Sequence, residues 1–392
     1  MVPGTPQSEY SSLGRSLAVR GPHRYNHCAE DSTPRRFRHM NKPILSRSQD
    51  DVENMVDLEE LPMRVGLGQF HEVSSERLQF IKQCGCDDFQ MNTPKFPGAD
   101  RWEYEDIAKA VQAADDADLR LMSIENVPAS FYDKIMLGQP GRDQQLDNMV
   151  YTIRNLGRAG VPMLGYSFMP AGVWRTANDT PVRGGALATS FNYDIARSVP
   201  PGDQTNFGIW ATIRTDREYP EEEIWDNYCW YMERILPVCE EVGVRMALHP
   251  DDPPVASLGG VARVFRNFEN FRRAMEAFDS PMHGLDFCHG CWSEMRGGEG
   301  VLEAIRYFGE RGKIFYVHFR DVQGTVECFT ECLLDEGNCD PVETIRALKQ
   351  VGFNGFLIPD HVPRMVGDTD WCHRGRAWTV GYIKALIAAV DA

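Results

Sequence analysis

No stretch of this 392-residue chain approaches the roughly 18–20 consecutive apolar residues that a membrane-crossing helix needs. Positive charge is also scarce: 41 Lys and Arg stand against 57 Asp and Glu, leaving a net charge of −16. A nucleic-acid groove or an anionic membrane surface needs a basic field, so the sequence predicts neither partner. An anionic small substrate would then need local cations or a metal ion to hold it. No apolar leader opens the chain and its eleven cysteines are odd in number, which points to a reducing, cytoplasmic compartment. Cys288 and Cys291 form a C-x-x-C, but no second pair stands at zinc-ribbon spacing. No G-x-G-x-x-G follows the first strand pattern, which argues against a dinucleotide fold.

What the chain does have is alternation. Residues 1–60 are rich in Arg, Ser, Pro and His with little apolar periodicity, and predict a basic, disordered extension. From residue 61 to 392, strand patterns at 63–69, 88–92, 119–124, 162–166, 244–248, 284–287, 314–317 and 355–358 alternate with helical ones. The helical patterns include 142–159, 221–242, 261–278, 302–308, 341–350 and 375–390. Repeated β–α units require parallel strands and right-handed crossovers. Eight of them predict a single (β/α)8 TIM barrel. Residues 169–219 break the rhythm after strand 4, on the face where such barrels carry their sites, and predict a lid or a contact between copies of a homo-oligomer. The Arg183-Gly-Gly and Arg296-Gly-Gly runs lack phosphate-loop spacing and read as flexible loops.

Each of the last four strands ends on a potential ligand: His249 in ALHPDDPP, Cys288 in GLDFCHG, His318 in YVHFRD, and Asp360 with His361 in FLIPDH. Alone, a strand-end histidine is most often structural and a buried cysteine inert. Together they predict one metal site, because a barrel brings the ends of adjacent strands close. Imidazoles, a thiolate and a carboxylate suit Zn²⁺, Fe²⁺, Co²⁺ or Mn²⁺ rather than Mg²⁺ or Ca²⁺. Arg320, two residues past His318, is a candidate clamp for a substrate carboxylate or, equally, an outer salt bridge. Glu125, ending strand 3, is a candidate to bind substrate hydroxyls or to brace a ligand. Asp251 and Asp252 would orient His249 or stabilise its turn.

At these motifs, and in the segments Leu121-Met-Ser-Ile-Glu-Asn-Val-Pro, Ile153-Arg-Asn-Leu-Gly-Arg-Ala-Gly and Tyr166-Ser-Phe-Met-Pro, the chain resembles the mannonate dehydratase family of xylose-isomerase-like barrels. The resemblance runs from about Met63 to the C-terminus. It implies a Mn²⁺- or Fe²⁺-dependent lyase that converts the sugar acid D-mannonate to 2-keto-3-deoxy-D-gluconate and water. It further implies His249, Cys288, His318 and Asp360 as ligands, and His361 as catalytic acid/base. Arg320 would assist catalysis, and Arg175, in a segment resembling a family one, would reach the substrate. A sugar isomerase or epimerase on the same barrel, or a non-catalytic sugar-acid binder, are the competing expectations. In two places the chain departs from the family pattern. Arg376 and Ala377 stand where the family carries a tyrosine, with Tyr382 about two helical turns further on. Cys288 is followed by His-Gly-Cys-Trp, where the family has small residues.

Overall fold

The computed structural model describes residues 60–201, 203, 208–210 and 213–391. The expected tail over 1–60 therefore lies outside the described residues, save Glu60. Eight parallel strands close a barrel: β1 Arg64–Phe70, β2 Asp88–Asn92, β3 Arg120–Glu125, β4 Met163–Ser167, β5 Arg245–His249, β6 His283–Cys288, β7 Ile314–His318 and β8 Phe356–Ile358. Each pairs with its neighbours in chain order and β8 returns to β1. The strands are buried along nearly their whole length, as parallel strands covered by helices must be. No helix among the described residues is long and apolar enough to cross a membrane.

Local chemistry sets the helix limits. Asp340 caps the helix Pro341–Gln350 by accepting from the Val342 and Glu343 amides, with proline at its first position. The helix expected over 261–278 begins only at Phe268, because Asn267 accepts from the Asn270 amide and caps it there. Residues 261–262 pair instead with 257–258. The helix expected over 302–308 is longer: it runs His289–Gly309, starting directly from the end of β6. Arg296-Gly-Gly is thus no loop but a kink inside that helix, where Gly297 takes φ 65°. Arg183-Gly-Gly is a short 3-10 turn.

The interruption after β4 is not structureless. Its strands Ala177–Pro181 and Leu187–Asn192 join a hairpin, Asp321–Thr325 with Cys328–Cys332, in one four-stranded antiparallel sheet. That hairpin directly follows β7 and was not expected from the sequence. Leu187 also bridges to Arg364 beyond β8, so the insertion is tied to two βα connections on the C-terminal face.

Candidate metal centre and cavity

Three of the four expected donors are the last residues of their strands. His249 ends β5, Cys288 ends β6 and His318 ends β7, while Asp360 lies two residues beyond β8. Register sets them level: Cys288 pairs with His318, and His318 with Ile358. The consequence is that one donor atom from each of His249, Cys288, His318 and Asp360 lies within 4.8 Å of the others, all four residues being buried. Cys288 Sγ is 3.8 Å from Asp360 Oδ2, and His318 Nδ1 is 3.8 Å from the same oxygen.

Beneath them sits a second set, Glu125 and Asp286 with the same two histidines. His249 Nδ1 donates to the Pro250 carbonyl at 2.7 Å, which leaves only its Nε2 free. One free nitrogen can serve one ion, so the two sets describe a single centre and not a pair. His318 Nε2 faces Glu125 Oε2 at 3.1 Å and Asp286 Oδ2 at 3.4 Å. A carboxylate behind a ligating imidazole fixes its tautomer and ring orientation. Glu125 stands where such a carboxylate would brace His318. Burial pushes the Asp286 carboxyl well above the usual carboxylate range, aided by Glu125 and opposed by His318. Burial also opposes thiolate formation at Cys288. The Cys291 thiol, Arg320 and His249 outweigh it and hold Cys288 well below the ordinary thiol value.

Both arginines singled out from the sequence lie behind this centre. Arg320 is 2% exposed and each of its three nitrogens is engaged: Nε to Asp360 Oδ2 at 2.9 Å, Nη1 to Glu294 at 2.8 Å, Nη2 to Asp252 at 3.0 Å and to Cys291 Sγ at 3.2 Å. Arg175 is as deeply buried, bidentate on Asp252 at 2.5 and 2.8 Å and bonded to Glu331 at 2.7 Å. Neither arginine lines the cavity, and their nitrogens are engaged by acids, by Thr189 and the Trp174 carbonyl, and by Cys291, an arrangement that matches the outer salt bridge held open for Arg320. Asp252 is shared by the two arginines, and Asp251 accepts from Arg263 and from the Phe265 amide, so the hydrogen bonds of both acids go to arginines and backbone rather than to the His249 ring. Gly290 is required by the same packing, because a Cβ there would collide with the Arg320 guanidinium. Burial, with Asp252 beside it, pushes Glu294 up to about 8 against the pull of Arg320.

His361 opens onto the cavity. Its side chain is 31% exposed, with Nδ1 bonded to Glu331 Oε1 at 2.7 Å and Nε2 3.7 Å from Asp360 Oδ1. Burial disfavours its cation, but Asp360 and Glu331 outweigh that and raise its pKa above the ordinary imidazole value. Around it the cavity is lined by Gln69, His71, Asn92, Glu125, Asn126, Ser167, Met169, Val173, His249, Asp252 and Asp360. Three of these are acids, and no lysine or arginine is among them.

Sequence reading missed Glu331, Glu294, Asp286 and Gln69, whose amide donates to Asp360. Asp286 was detectable as an acid inside the apolar run GLDFC; Glu331 had no such signal, because its hairpin was not recognised. At the position of the family tyrosine, Arg376 is buried and donates Nη1 to the Pro359 carbonyl at 2.8 Å, pinning the residue before Asp360. Tyr382 stacks on Trp378 and does not line the cavity.

A closed parallel barrel with buried nitrogen, sulfur and oxygen donors at the C-terminal ends of its last strands is a xylose-isomerase-like barrel with a candidate metal centre. Solved structures of that fold superpose on it, among them D-psicose 3-epimerase from Clostridium cellulolyticum (TM-score 0.56, 12% identity, 83% of this chain and 99% of that one). Residues 63–392 match the sequence profile of the D-mannonate dehydratase (UxuA) family. The chain is 33% identical over 321 residues to the mannonate dehydratase of Thermotoga maritima, covering 75% of this chain and 88% of that protein. It is 31% identical over 340 residues to mannonate dehydratase 2 of Halalkalibacterium halodurans, covering 83% and 96%. The crystal structure of mannonate dehydratase from Streptococcus suis aligns with a TM-score of 0.73 at 27% identity, over 84% of this chain and 95% of that one. The chain belongs to the D-mannonate dehydratase family.

Proposed function

We propose that this protein is a hydro-lyase that removes water from D-mannonate to give 2-keto-3-deoxy-D-gluconate, with Mn²⁺ or Fe²⁺ held by His249, Cys288, His318 and Asp360. The observation that carries the reading is the composition of the cavity: three acids and no lysine or arginine line it, above four converging donors. The negative charge of a sugar acid must be met there by a bound cation. The donor set fits one, since Nδ1 of the fully buried His318 has no hydrogen-bond partner among the protein's own groups while its Nε2 faces the Glu125 and Asp286 carboxylates. Two anionic ligands would neutralise a dication, which when bound supplies Lewis-acid stabilisation of the charge that develops as the proton α to the carboxylate leaves.

The chain's own groups do the rest. Glu331 accepts the Nδ1 proton of His361, so Nε2 is the atom that takes or returns a proton at the substrate. Breaking the C2–H and C3–O bonds gives an enol and one water, and the enol becomes the 2-keto acid by protonation at C3. Arg320 steadies Asp360 and Arg175 steadies Glu331, so both act as positioning residues. Glu125 orients His318, and the cytoplasm is the compartment in which an unpaired thiolate ligand persists.

Metal-loaded protein incubated with D-mannonate and other aldonates tests the reading. A 2-keto-3-deoxy product is expected; no product from any aldonate sinks it. The buried Glu125–Asp286 pair is the feature that favours the isomerase or epimerase alternative. Deuterium exchange at C2 without dehydration would select it.

A further inference from the structure

Cys291 is a buried thiol beside the centre to which the proposed reaction gives no role. It is the second cysteine of the C-x-x-C and stands where the family pattern has small residues. Cys288 occupies the N-cap of the helix His289–Gly309 and Cys291 its first turn. Residues three apart in that geometry have Cα atoms about 5 Å apart, inside the usual disulfide range of roughly 4.4–6.8 Å. Both thiols are buried, and Arg320 ties their surroundings together: its Nη2 reaches Cys291 Sγ at 3.2 Å while its Nε holds Asp360 Oδ2, which lies 3.8 Å from Cys288 Sγ. Neither thiol lines the cavity, but His249 and Asp360 do, and their donor atoms lie within 4.8 Å of that of Cys288, so one layer of side chains separates the cavity from the first sulfur. By contrast the cluster His289, Asp321 and Cys339 is closed, since both nitrogens of His289 and both oxygens of Asp321 already hold partners.

We propose that Cys288 and Cys291 form a reversible disulfide that excludes the metal ion, so that the C-x-x-C is an oxidation site linked to ion occupancy. The inference rests on Cys288 being an ion ligand. The oxidant is a hydroperoxide. The Cys288 sulfur attacks the terminal oxygen of hydrogen peroxide, the O–O bond breaks, and water and a sulfenic acid result. The Cys291 sulfur then attacks the Cys288 sulfur, the S–O bond breaks, and the Cys291 proton leaves with the hydroxyl as a second water. Two thiols lose two electrons and the peroxide gains them. The bridged sulfur is no longer an anionic ligand, so only three of the four protein donors remain and the ion is released. A bound ion in turn occupies the sulfur that the peroxide must reach.

The full-length protein, stripped with a chelator or loaded with Mn²⁺, is treated with hydrogen peroxide, alkylated, digested and mapped by mass spectrometry. In the metal-free protein, the peptide containing both cysteines should be unalkylated and about 2 Da lighter than its reduced form. Mn²⁺ binding, read by metal analysis, should be lost with it and return on treatment with dithiothreitol. In the loaded protein, disulfide formation should be at least about tenfold slower. Cys291→Ser should form no such bridge, yet bind Mn²⁺ when reduced. Full alkylation of both cysteines after peroxide overturns the proposal, as does a bridged protein that still binds Mn²⁺. These readouts need no substrate, so a protein that bridges reversibly but dehydrates no aldonate counts against the hydro-lyase reading alone. A reduced protein that never binds Mn²⁺ overturns the ligand assignment and this inference together.

Discussion

At the N-terminal end of the barrel, Asp88 is wholly buried and both its oxygens are taken, one by Arg64 and one by Arg120. At the C-terminal end Asp286 is equally buried, and neither oxygen has a hydrogen-bond partner among the protein's own groups. The histidines divide in the same way. His283, opening β6, has Nε2 bonded to the Tyr228 hydroxyl at 3.0 Å and Nδ1 to the Phe278 carbonyl at 3.0 Å, whereas His318, ending β7, makes no hydrogen bond within the protein, its Nε2 only facing the Glu125 and Asp286 carboxylates. An unmet buried polar group costs about 1–3 kcal/mol. A fold that satisfies such groups at one end and leaves them open at the other has reserved the open end for something else to bind.

Substitutions at the two ends should separate accordingly. The largest effect is expected at His361→Ala, with kcat down about 10²–10⁴-fold and metal content retained. Equal loss of the ion would place His361 among the ligands instead. Cys288→Ala should weaken Mn²⁺ binding by about 100-fold or more, measured by competition with a chelator; unchanged affinity would remove Cys288 from the set.

At the satisfied end the readout is stability, not metal. Burial lowers the His283 pKa from 6.5 to about 4. Between those values the unfolded chain takes up a proton that the native state refuses. Stability should thus fall as pH drops from 6.5 to 4, by about 3 kcal/mol in all. His283→Gln should flatten that slope relative to the parent in denaturant titrations; parallel slopes would show that burial does not suppress the charge. Asp88→Ala should cost about 2 kcal/mol, less than a fully buried pair because both arginines keep some solvent contact. Mn²⁺ affinity should not change, and a loss of affinity would show that the two ends are coupled.

Much of this contrast was legible in the sequence at the open end. All eight strands were visible, because each is a short apolar run, and the four donors stood out because polar residues closing such runs have few structural uses. The family resemblance then supplied their order. What escaped is what depends on tertiary pairing. Arg320 read equally as a substrate clamp and as an outer salt bridge, and Arg175 as a substrate contact, because nothing in their local sequence announces Glu294, Glu331 and Asp252 as their partners. The hairpin carrying Glu331 follows β7 so closely that it shows no separate signal. Asn267 delays the start of a helix through one capping hydrogen bond, which periodicity does not register.

The sheet built from the hairpin and the insertion has a consequence for the order of assembly. Glu331, which holds His361, belongs to the hairpin, while Arg175, which holds Glu331, comes from the interruption after β4. A chain whose barrel has closed but whose side sheet has not docked would already possess its four strand-end donors. Its histidine would lack the carboxylate that fixes the reactive nitrogen. On the proposed roles, competence to bind an ion and competence to move a proton are thus completed by different parts of the chain, the second only after segments about 150 residues apart have met.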